Sequence, residues 1–120
     1  MTTGTWNGPA GGSTVDDAAA YGTAGRFRLA PSGDIDIATV DELTIRCDRL
    51  LAQRPRRLVL DFAHVGLCDA SGLGALARIY LDTLVLGCEL ILTNVNEHVR
   101  TVMGIVGFEQ IFTIEEPAPS

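Results

Sequence analysis

The side chains that most often perform acid-base or nucleophilic chemistry are few in this sequence and poorly grouped. Lysine is absent from all 120 residues, and the two histidines, His64 and His98, are far apart along the chain. Neither histidine accompanies a nucleophile motif, so we expect both to be surface residues. The missing lysine excludes a P-loop lysine, a Schiff base and a lysine-dependent phosphate site. We therefore predict that the protein is not an enzyme.

A response-regulator receiver domain is the first alternative to that prediction. Asp61 ends a predicted strand, as the phospho-acceptor aspartate of a receiver domain does. A receiver also needs a pair of acidic residues after its first strand and a lysine after a late strand. This chain has no lysine. We interpret Asp61 as a carboxylate that orients the loop after its strand.

The three cysteines, Cys47, Cys68 and Cys88, are odd in number, widely spaced and without a CxxC pair. This spacing indicates neither a zinc site nor a thioredoxin-like site, and buried free thiols are the expected outcome. Cys68 directly precedes Asp69 at the start of a predicted helix, so its oxidation is a candidate modification. No GxGxxG or Walker pattern is present, and we expect no cofactor.

Charge and hydropathy limit the kinds of partner. Nine arginines against 15 acidic residues give a net charge of −6, and no strong basic stripe is present, which disfavours a nucleic-acid partner. The run Arg54, Arg56 and Arg57 is interpreted as a solvated loop. No apolar run approaches the roughly 18 residues of a membrane span, and the first residues lack the basic and apolar blocks of a signal peptide. We expect a cytoplasmic protein without a membrane partner.

Strand-like and helix-like patterns alternate along the chain and must position these residues. Apolar runs predict strands at 57–62, 88–93 and 111–114. Amphipathic spacing predicts a helix that begins at Ala38 and ends before Pro55, and further helices at 71–86 and 96–106. Before them, residues 26–29 and 34–36 flank a Pro-Ser-Gly turn and are interpreted as a strand pair. This alternation favours an α/β fold, with helices packed on a small mixed β-sheet.

Composition divides the chain into one domain and two tails. Residues 1–24 are rich in Gly, Thr, Ala and Ser without an apolar period, so we expect a flexible N-terminal tail. Residues 25–115 hold all the predicted elements and form the domain, and residues 116–120 form a C-terminal tail. The hydrophobic content of 47% is sufficient for one core.

The most unusual segment is Asp69-Ala70-Ser71-Gly72-Leu73-Gly74, where a loop meets a predicted buried helix. Two glycines in the first turns of a helix each cost up to about 1 kcal/mol relative to alanine, so some other requirement must place them there. Close approach is the natural reason. Either another part of the same chain or the backbone of a partner comes near the helix, and the sequence leaves both interpretations open.

This segment resembles the signature of the STAS family of bacterial anti-sigma factor antagonists, in which a strand ending in Asp-Phe or a similar pair precedes a short loop and Asp-Ser-Ser-Gly-Leu-Gly. Leu58 to Phe62, Val65 and Asp69 to Gly74 match this signature in order and spacing. The segment Gly33-Asp34-Ile35-Asp36-Ile37-Ala38-Thr39 is similar to the Gly-Glu-Leu-Asp element ahead of the family's first helix. The resemblance covers residues 26–114 and implies a single STAS-like domain.

The resemblance implies a protein that binds a kinase-like anti-sigma factor of the serine-kinase type and so releases a sigma factor, which regulates transcription. The two motifs imply a partner-binding surface that comprises Asp34, Asp36, Asp69, Ala70, Ser71, Gly72, Leu73 and Gly74. STAS domains also resemble accessory subunits of lipid or anion transporters, and the sequence does not separate these two roles. The choice between monomer and dimer is open as well.

Many family members are switched off when the kinase phosphorylates the serine directly after the motif's aspartate. That position is Ala70 here, and Ser71 matches the second serine of the motif. The resemblance therefore supports partner binding better than it supports the usual phosphorylation. Ser71 has two interpretations, a modification site or a residue that caps the helix.

Overall fold

A computed structural model of the protein describes residues 25–116, in which strands and helices alternate. The elements in chain order are β1 (Arg26–Leu29), α1 (Val40–Leu51), β2 (Arg57–Asp61), α2 (Ala70–Leu86), β3 (Glu89–Thr93), α3 (Glu97–Ile105), a 3-10 helix (Phe108–Gln110) and β4 (Thr113–Glu115). The expected N-terminal tail, 1–24, and residues 117–120 of the expected C-terminal tail, 116–120, lie outside the described residues. The α/β class predicted from the alternating patterns is confirmed.

The four strands form one sheet in the order β1-β2-β3-β4, and each pairing is parallel. A helix connects each strand to the next, and such a crossover returns the chain to the starting edge of the sheet, so neighbours run in the same direction. The sequence led us to expect a mixed sheet, but no two strands within residues 25–116 pair antiparallel.

The predicted pairing of residues 26–29 with residues 34–36 is wrong. β1 pairs with β2 instead, in the register Phe27 to Leu58. After β1 the chain does not fold back, because isolated parallel bridges join Ser32 to His64 and Ile35 to Cys68. Gly33, at φ +91°, bends the chain without reversing it.

Alternate strand residues face the helices and form the core. Leu29, Leu58, Leu60 and Leu92 from the strands are fully buried, and they belong to one cluster with Leu43 of α1, Leu76 of α2 and Met103 of α3. Tyr80 and Phe108 each pack edge to face on Phe112, with ring centroids 5.4 and 5.3 Å apart. This packing fixes α2 and the 3-10 segment relative to the sheet.

Residues 25–116 were compared with what membrane insertion and metal binding require. Between residues 25 and 116 no helix is long and apolar enough to cross a membrane. Within the same residues, no group of three His, Cys, Asp or Glu side chains is arranged to hold a metal ion. All three cysteines are free and buried, as the sequence predicts.

Candidate docking surface

Parallel strands bring their carboxyl ends to one edge of the sheet, and the segments after β1 and β2 lie side by side there. We call residues 30–39 the first loop, residues 62–69 the second loop, and this edge the carboxyl edge. The N–H of Ile35 donates to the carbonyl of Leu67 at 2.9 Å, and the N–H of Asp69 donates to the carbonyl of Ile35 at 3.0 Å. The two sequence motifs are therefore joined by backbone hydrogen bonds, and the structure brings them together.

The second loop is also held by side chains on both of its flanks. Asp34 Oδ1 accepts a hydrogen bond from the N–H of Leu67 at 3.1 Å. From the other side, Asn96 Nδ2 donates to the carbonyls of Val65 at 3.0 Å and Gly66 at 3.1 Å. The side-chain oxygen of Asn96 accepts from Val99 N and caps α3. Sequence reasoning missed Asn96, although an Asn before an amphipathic stretch is a usual cap signal.

Asp61 orients the start of the second loop, as predicted. Its Oδ1 accepts from the N–H of Ala63 and from the side-chain amide of Asn94, both at 2.9 Å, and its Oδ2 pairs with Arg28 at 2.5 Å. Partial burial alone would raise the pKa of the Asp61 carboxyl. The hydrogen bonds from Asn94, Ala63 and Arg28, together with the Arg28 charge, outweigh burial and lower that pKa. Asp61 is thus a structural anion that ties β1, β2 and the residue after β3.

Asp36 organises the first loop before α1. Its Oδ1 accepts from the N–H groups of Ala38 at 2.9 Å and Thr39 at 3.2 Å. The Thr39 hydroxyl donates to the carbonyl of Asp34 at 2.8 Å and accepts from the N–H of Asp36 at 3.0 Å. This closed turn directs Ile37 outward, and its side chain is 78% exposed.

Asp69 is the N-cap of α2, and its Oδ1 accepts from the N–H of Gly72 at 3.1 Å. A carboxylate at this place also interacts favourably with the helix dipole. Ser71 is therefore not the capping residue, and its hydroxyl makes no hydrogen bond to any group in residues 25–116. Ala70 is exposed at the first position of the helix, and Ser71 is partly exposed.

The two glycines of the motif have different surroundings. A Cβ on Gly72 would lie 2.6 Å from Cys68 Sγ, 2.7 Å from Ile35 Cγ2 and 3.0 Å from the carbonyl oxygen of Ile35. A Cβ on Gly74 would meet nothing within 4 Å. Close approach within the same chain thus explains Gly72, and Gly74 lies open at the surface.

Two of the predicted docking residues lie inside the domain. Gly72 is buried beneath the loops, and Leu73 belongs to the core cluster. The predicted residues that reach the surface are Asp34, Asp36, Asp69, Ala70, Ser71 and Gly74. The carboxyl edge thus offers a narrower set of contacts than the sequence motif.

Cys68 is buried below this surface and is only 5% exposed. Burial, with a smaller contribution from the charge of Asp69, raises the pKa of its thiol to about 11. Very little thiolate is present at neutral pH, and the thiolate is the reactive form. The geometry does not support Cys68 as a redox site.

Two exposed apolar side chains at the carboxyl edge escaped sequence reasoning. Ile37 is 78% exposed and Leu67 is 49% exposed. Ala70 and Gly74 at the start of α2 are exposed as well, and the carboxylates of Asp34, Asp36 and Asp69 are nearby in the chain. Large exposed apolar residues on clamped loops are suited to docking a protein surface. We define these four residues, Ile37, Leu67, Ala70 and Gly74, as the docking surface.

The fold and this edge define a parallel α/β domain with a rigid, apolar-centred surface where its first two strands end. The family model for the STAS domain matches residues 18–117, so the chain belongs to the STAS domain family. The match begins seven residues before the domain boundary predicted at residue 25. The resemblance inferred from the sequence motifs is confirmed.

Solved structures with the same fold include proteins from two roles. The chain is similar to a Thermotoga maritima protein proposed to be an anti-sigma factor antagonist, with a TM-score of 0.73, 18% identity, and 80% of this chain and 82% of that one covered. An anti-sigma factor antagonist of Mycobacterium paratuberculosis has a TM-score of 0.70 at 23% identity, with 79% and 80% covered. A sulfate transporter family protein of Wolinella succinogenes has a TM-score of 0.69 at 20% identity, with 83% and 86% covered. The sequence comparison with curated proteins gave no match.

Proposed function

We propose that this protein is an anti-sigma factor antagonist that binds a kinase-type anti-sigma factor through the docking surface and thereby releases a sigma factor. The observation that carries the proposal is the placement of Ile37 and Leu67, exposed on two loops that are clamped together where α2 begins. Loops already held in one geometry lose little conformational entropy on binding, so their contacts contribute more to affinity. The STAS membership and the two antagonist structures support the same role.

We also propose that the protein is cytoplasmic and acts by binding, without catalytic activity. His64 is exposed in the second loop, and the acidic side chains of the carboxyl edge, Asp34, Asp36 and Asp69, use one oxygen each to hold the backbone of their own chain. Carboxylates engaged in this way position loops and are poorly placed as acid-base groups. We propose a role in protein binding with no cofactor.

We further propose that the antagonist is not switched by phosphorylation at the family's usual position. That position is Ala70, which is exposed at the first turn of α2 and has no hydroxyl. Ser71 is the next residue, and one helical step turns its side chain by about 100° around the helix. A kinase that presents phosphate toward position 70 would reach Ser71 poorly.

A role as a transporter accessory domain is the second candidate, and the similarity to the sulfate transporter family protein favours it. Capture of partners from the native cell, with the full chain as bait, separates the two roles. An anti-sigma kinase bound by the wild-type chain supports the first proposal, and a transporter component in its place contradicts it.

The decisive variant is Gly74→Arg, because residue 74 has open space around it and the new side chain would project from the docking surface. We expect loss of at least about 100-fold in affinity for the captured partner, since a charge in the middle of an interface costs several kcal/mol. The control is Thr101→Arg, which adds the same charge at an exposed position of α3. Equal binding of both variants contradicts the assigned surface. Gly72→Arg is unsuitable, because it would disrupt packing inside the domain.

A further inference from the structure

Charge is distributed unevenly between the two edges of the sheet. The amino edge, where the strands begin, carries four exposed arginines with no carboxylate within 4.0 Å among residues 25–116, namely Arg26, Arg49, Arg54 and Arg56. In contrast, the arginines that do pair with carboxylates in this range include Arg28, Arg57, Arg78 and Arg100. A protein with a net charge of −6 thus presents unpaired positive charge at one edge.

The loop that carries two of these arginines is fixed to the sheet. The N–H of Arg56 donates to the carbonyl of Gly25 at 2.7 Å, and the carbonyl of Arg56 accepts from the N–H of Glu89 at 2.9 Å. Arg54 adopts φ +55°, a left-handed conformation that is uncommon for a residue other than glycine. The arginine side chains therefore extend from a rigid base.

An open groove of about 370 Å³ lies beside Arg54, between the ends of α1 and α2. Its apolar lining consists of Leu51, Ala52, Val85 and Leu86, and its charged lining consists of Arg54, Asp48 and Asp82. Asp82 is engaged by Arg78 at 3.7 Å. Val85 is 85% exposed, so an apolar side chain from outside would remove it from water.

The carboxyl edge carries negative charge, opposite to the arginines of the amino edge. Asp34, Asp36 and Asp69 each use Oδ1 to hold their own backbone, and their Oδ2 atoms make no hydrogen bond within residues 25–116. Ile37 projects from the same edge. One end of the molecule therefore offers carboxylates around an apolar side chain. The other end offers four unpaired arginines, one of which, Arg54, lines a groove that also contains apolar side chains and the carboxylates of Asp48 and Asp82.

We propose that copies of this chain associate head to tail, with the carboxyl edge of one copy on the amino edge of the next and Ile37 in the groove between α1 and α2. Two different surfaces at opposite ends of a molecule form a heterologous contact, which does not close on itself as a symmetric dimer does. The net charge of each copy opposes the contact, so the association is weak and depends on salt.

The proposed contact has a regulatory consequence that rests on the proposed function. The head-to-tail contact covers Ile37 in every copy but the last. In the associated form, the docking surface of those copies is therefore inaccessible to a partner. A partner that binds the docking surface competes with the next copy and shortens the chains. The antagonist would then be released in proportion to the partner present.

Sedimentation velocity of the full chain tests the contact without any partner. At about 0.01 M salt the Debye length is ~30 Å, and at about 1 M it is ~3 Å. We expect the weight-average mass to rise with protein concentration beyond twice 12.8 kDa at low salt, and to return to 12.8 kDa at high salt. A mass that stays at 12.8 kDa at low salt, or stops at a dimer, overturns the proposal.

Two variants that each remove one surface sharpen the test. Ile37→Arg removes the acidic, apolar surface, and the double variant Arg54→Glu with Arg56→Glu removes the basic one. All three positions are exposed, and circular dichroism checks that each variant is folded. Each variant alone is expected to be a monomer, whereas an equal mixture forms a 1:1 complex that grows no further, because only one intact surface of each kind remains. A mixture that stays monomeric contradicts the head-to-tail contact.

The sedimentation results test the head-to-tail contact independently of the proposed partner. Self-association with no anti-sigma factor captured leaves the contact intact and refutes the proposed function. Partner capture by a chain that is always monomeric does the reverse. Thr101→Arg, on an exposed face of α3, is the control that should associate like the wild type.

Discussion

The first two turns of α2 have an inward side and an outward side, and one sequence motif serves both. On the inward side, Gly72 packs against Cys68 and Ile35, so tightly that no Cβ fits. On the outward side, Gly74 has empty space around it, and Ala70 is exposed. The two glycines look equivalent in the sequence, yet the fold requires only Gly72. A short signature can therefore combine residues that the fold needs with residues that are available to a partner.

Substituting alanine at each glycine should show most clearly that the two positions contribute differently to stability. Gly72→Ala places a methyl group within 3.0 Å of three atoms, and we expect it to lower the free energy of unfolding by about 2–3 kcal/mol. Gly74→Ala adds a methyl group in open space and improves helix propensity, so we expect a gain of up to about 1 kcal/mol. Urea denaturation followed by circular dichroism measures both.

A second substitution identifies the cause of the loss at residue 72. Adding Cys68→Ala to Gly72→Ala removes the sulfur that would lie 2.6 Å from the new methyl group. If the contact is responsible, the double variant loses less stability than the sum of the two single variants. Strict additivity, or equal effects of alanine at 72 and 74, would contradict the packing argument.

Asn96 tests the hydrogen bonds that hold the second loop next to the start of α2. Asn96→Ala removes the cap of α3 and two hydrogen bonds to the second loop, and we expect a loss of about 1–2 kcal/mol. Asn96→Asp keeps an oxygen for the cap and removes only the amide donors. We expect faster amide hydrogen exchange at Leu67 in both variants, since its loop is released from one flank. Unchanged exchange at Leu67 in Asn96→Asp would show that Asn96 acts only as a cap.

Most elements could be predicted from the sequence because their patterns are local. The predicted strand at 57–62 and the predicted helix at 71–86 each differ by one residue at one end from β2 and α2. The strand pairing near β1 could not be predicted in this way. Pro31 and Gly33 are typical turn residues, but the backbone of the second loop competes for the same strand edge through its bridge to Ile35. That competitor lies more than 30 residues away, so local patterns contain no sign of it.

The candidate site was partly predictable for the same reason. The motifs identified the edge at which the two loops meet, but the spacing of Ile35 and Ile37 suggests that both face the same way, as in a strand. The turn closed by Asp36 and Thr39 separates them, and Ile35 is buried while Ile37 is exposed. The partner of Asp34, the N–H of Leu67, is 33 residues distant. Side chains that depend on such contacts are assigned only from the fold.

Ala70→Ser tests the outward side with the smallest expected effect on stability, within about 0.5 kcal/mol, because residue 70 is exposed and the cap at Asp69 is unchanged. The expected effect is on modification instead. The wild-type chain and the variant are each incubated with the captured anti-sigma kinase and ATP, and the intact mass is followed with time. We expect phosphate on the variant and none, or slow incorporation, on the wild type, since Ser71 points about 100° away around the helix. A phosphate at residue 70 would add about −1.5 to −2 charges beside Asp69 on the docking surface, so the modified variant should lose its partner. An Ala70→Ser, Ser71→Ala double variant that is modified at the same rate would place the phosphate on the new hydroxyl. Rapid modification of the wild type at Ser71 would contradict this view, because the inward and outward sides of the helix would then not decide which hydroxyl the kinase reaches.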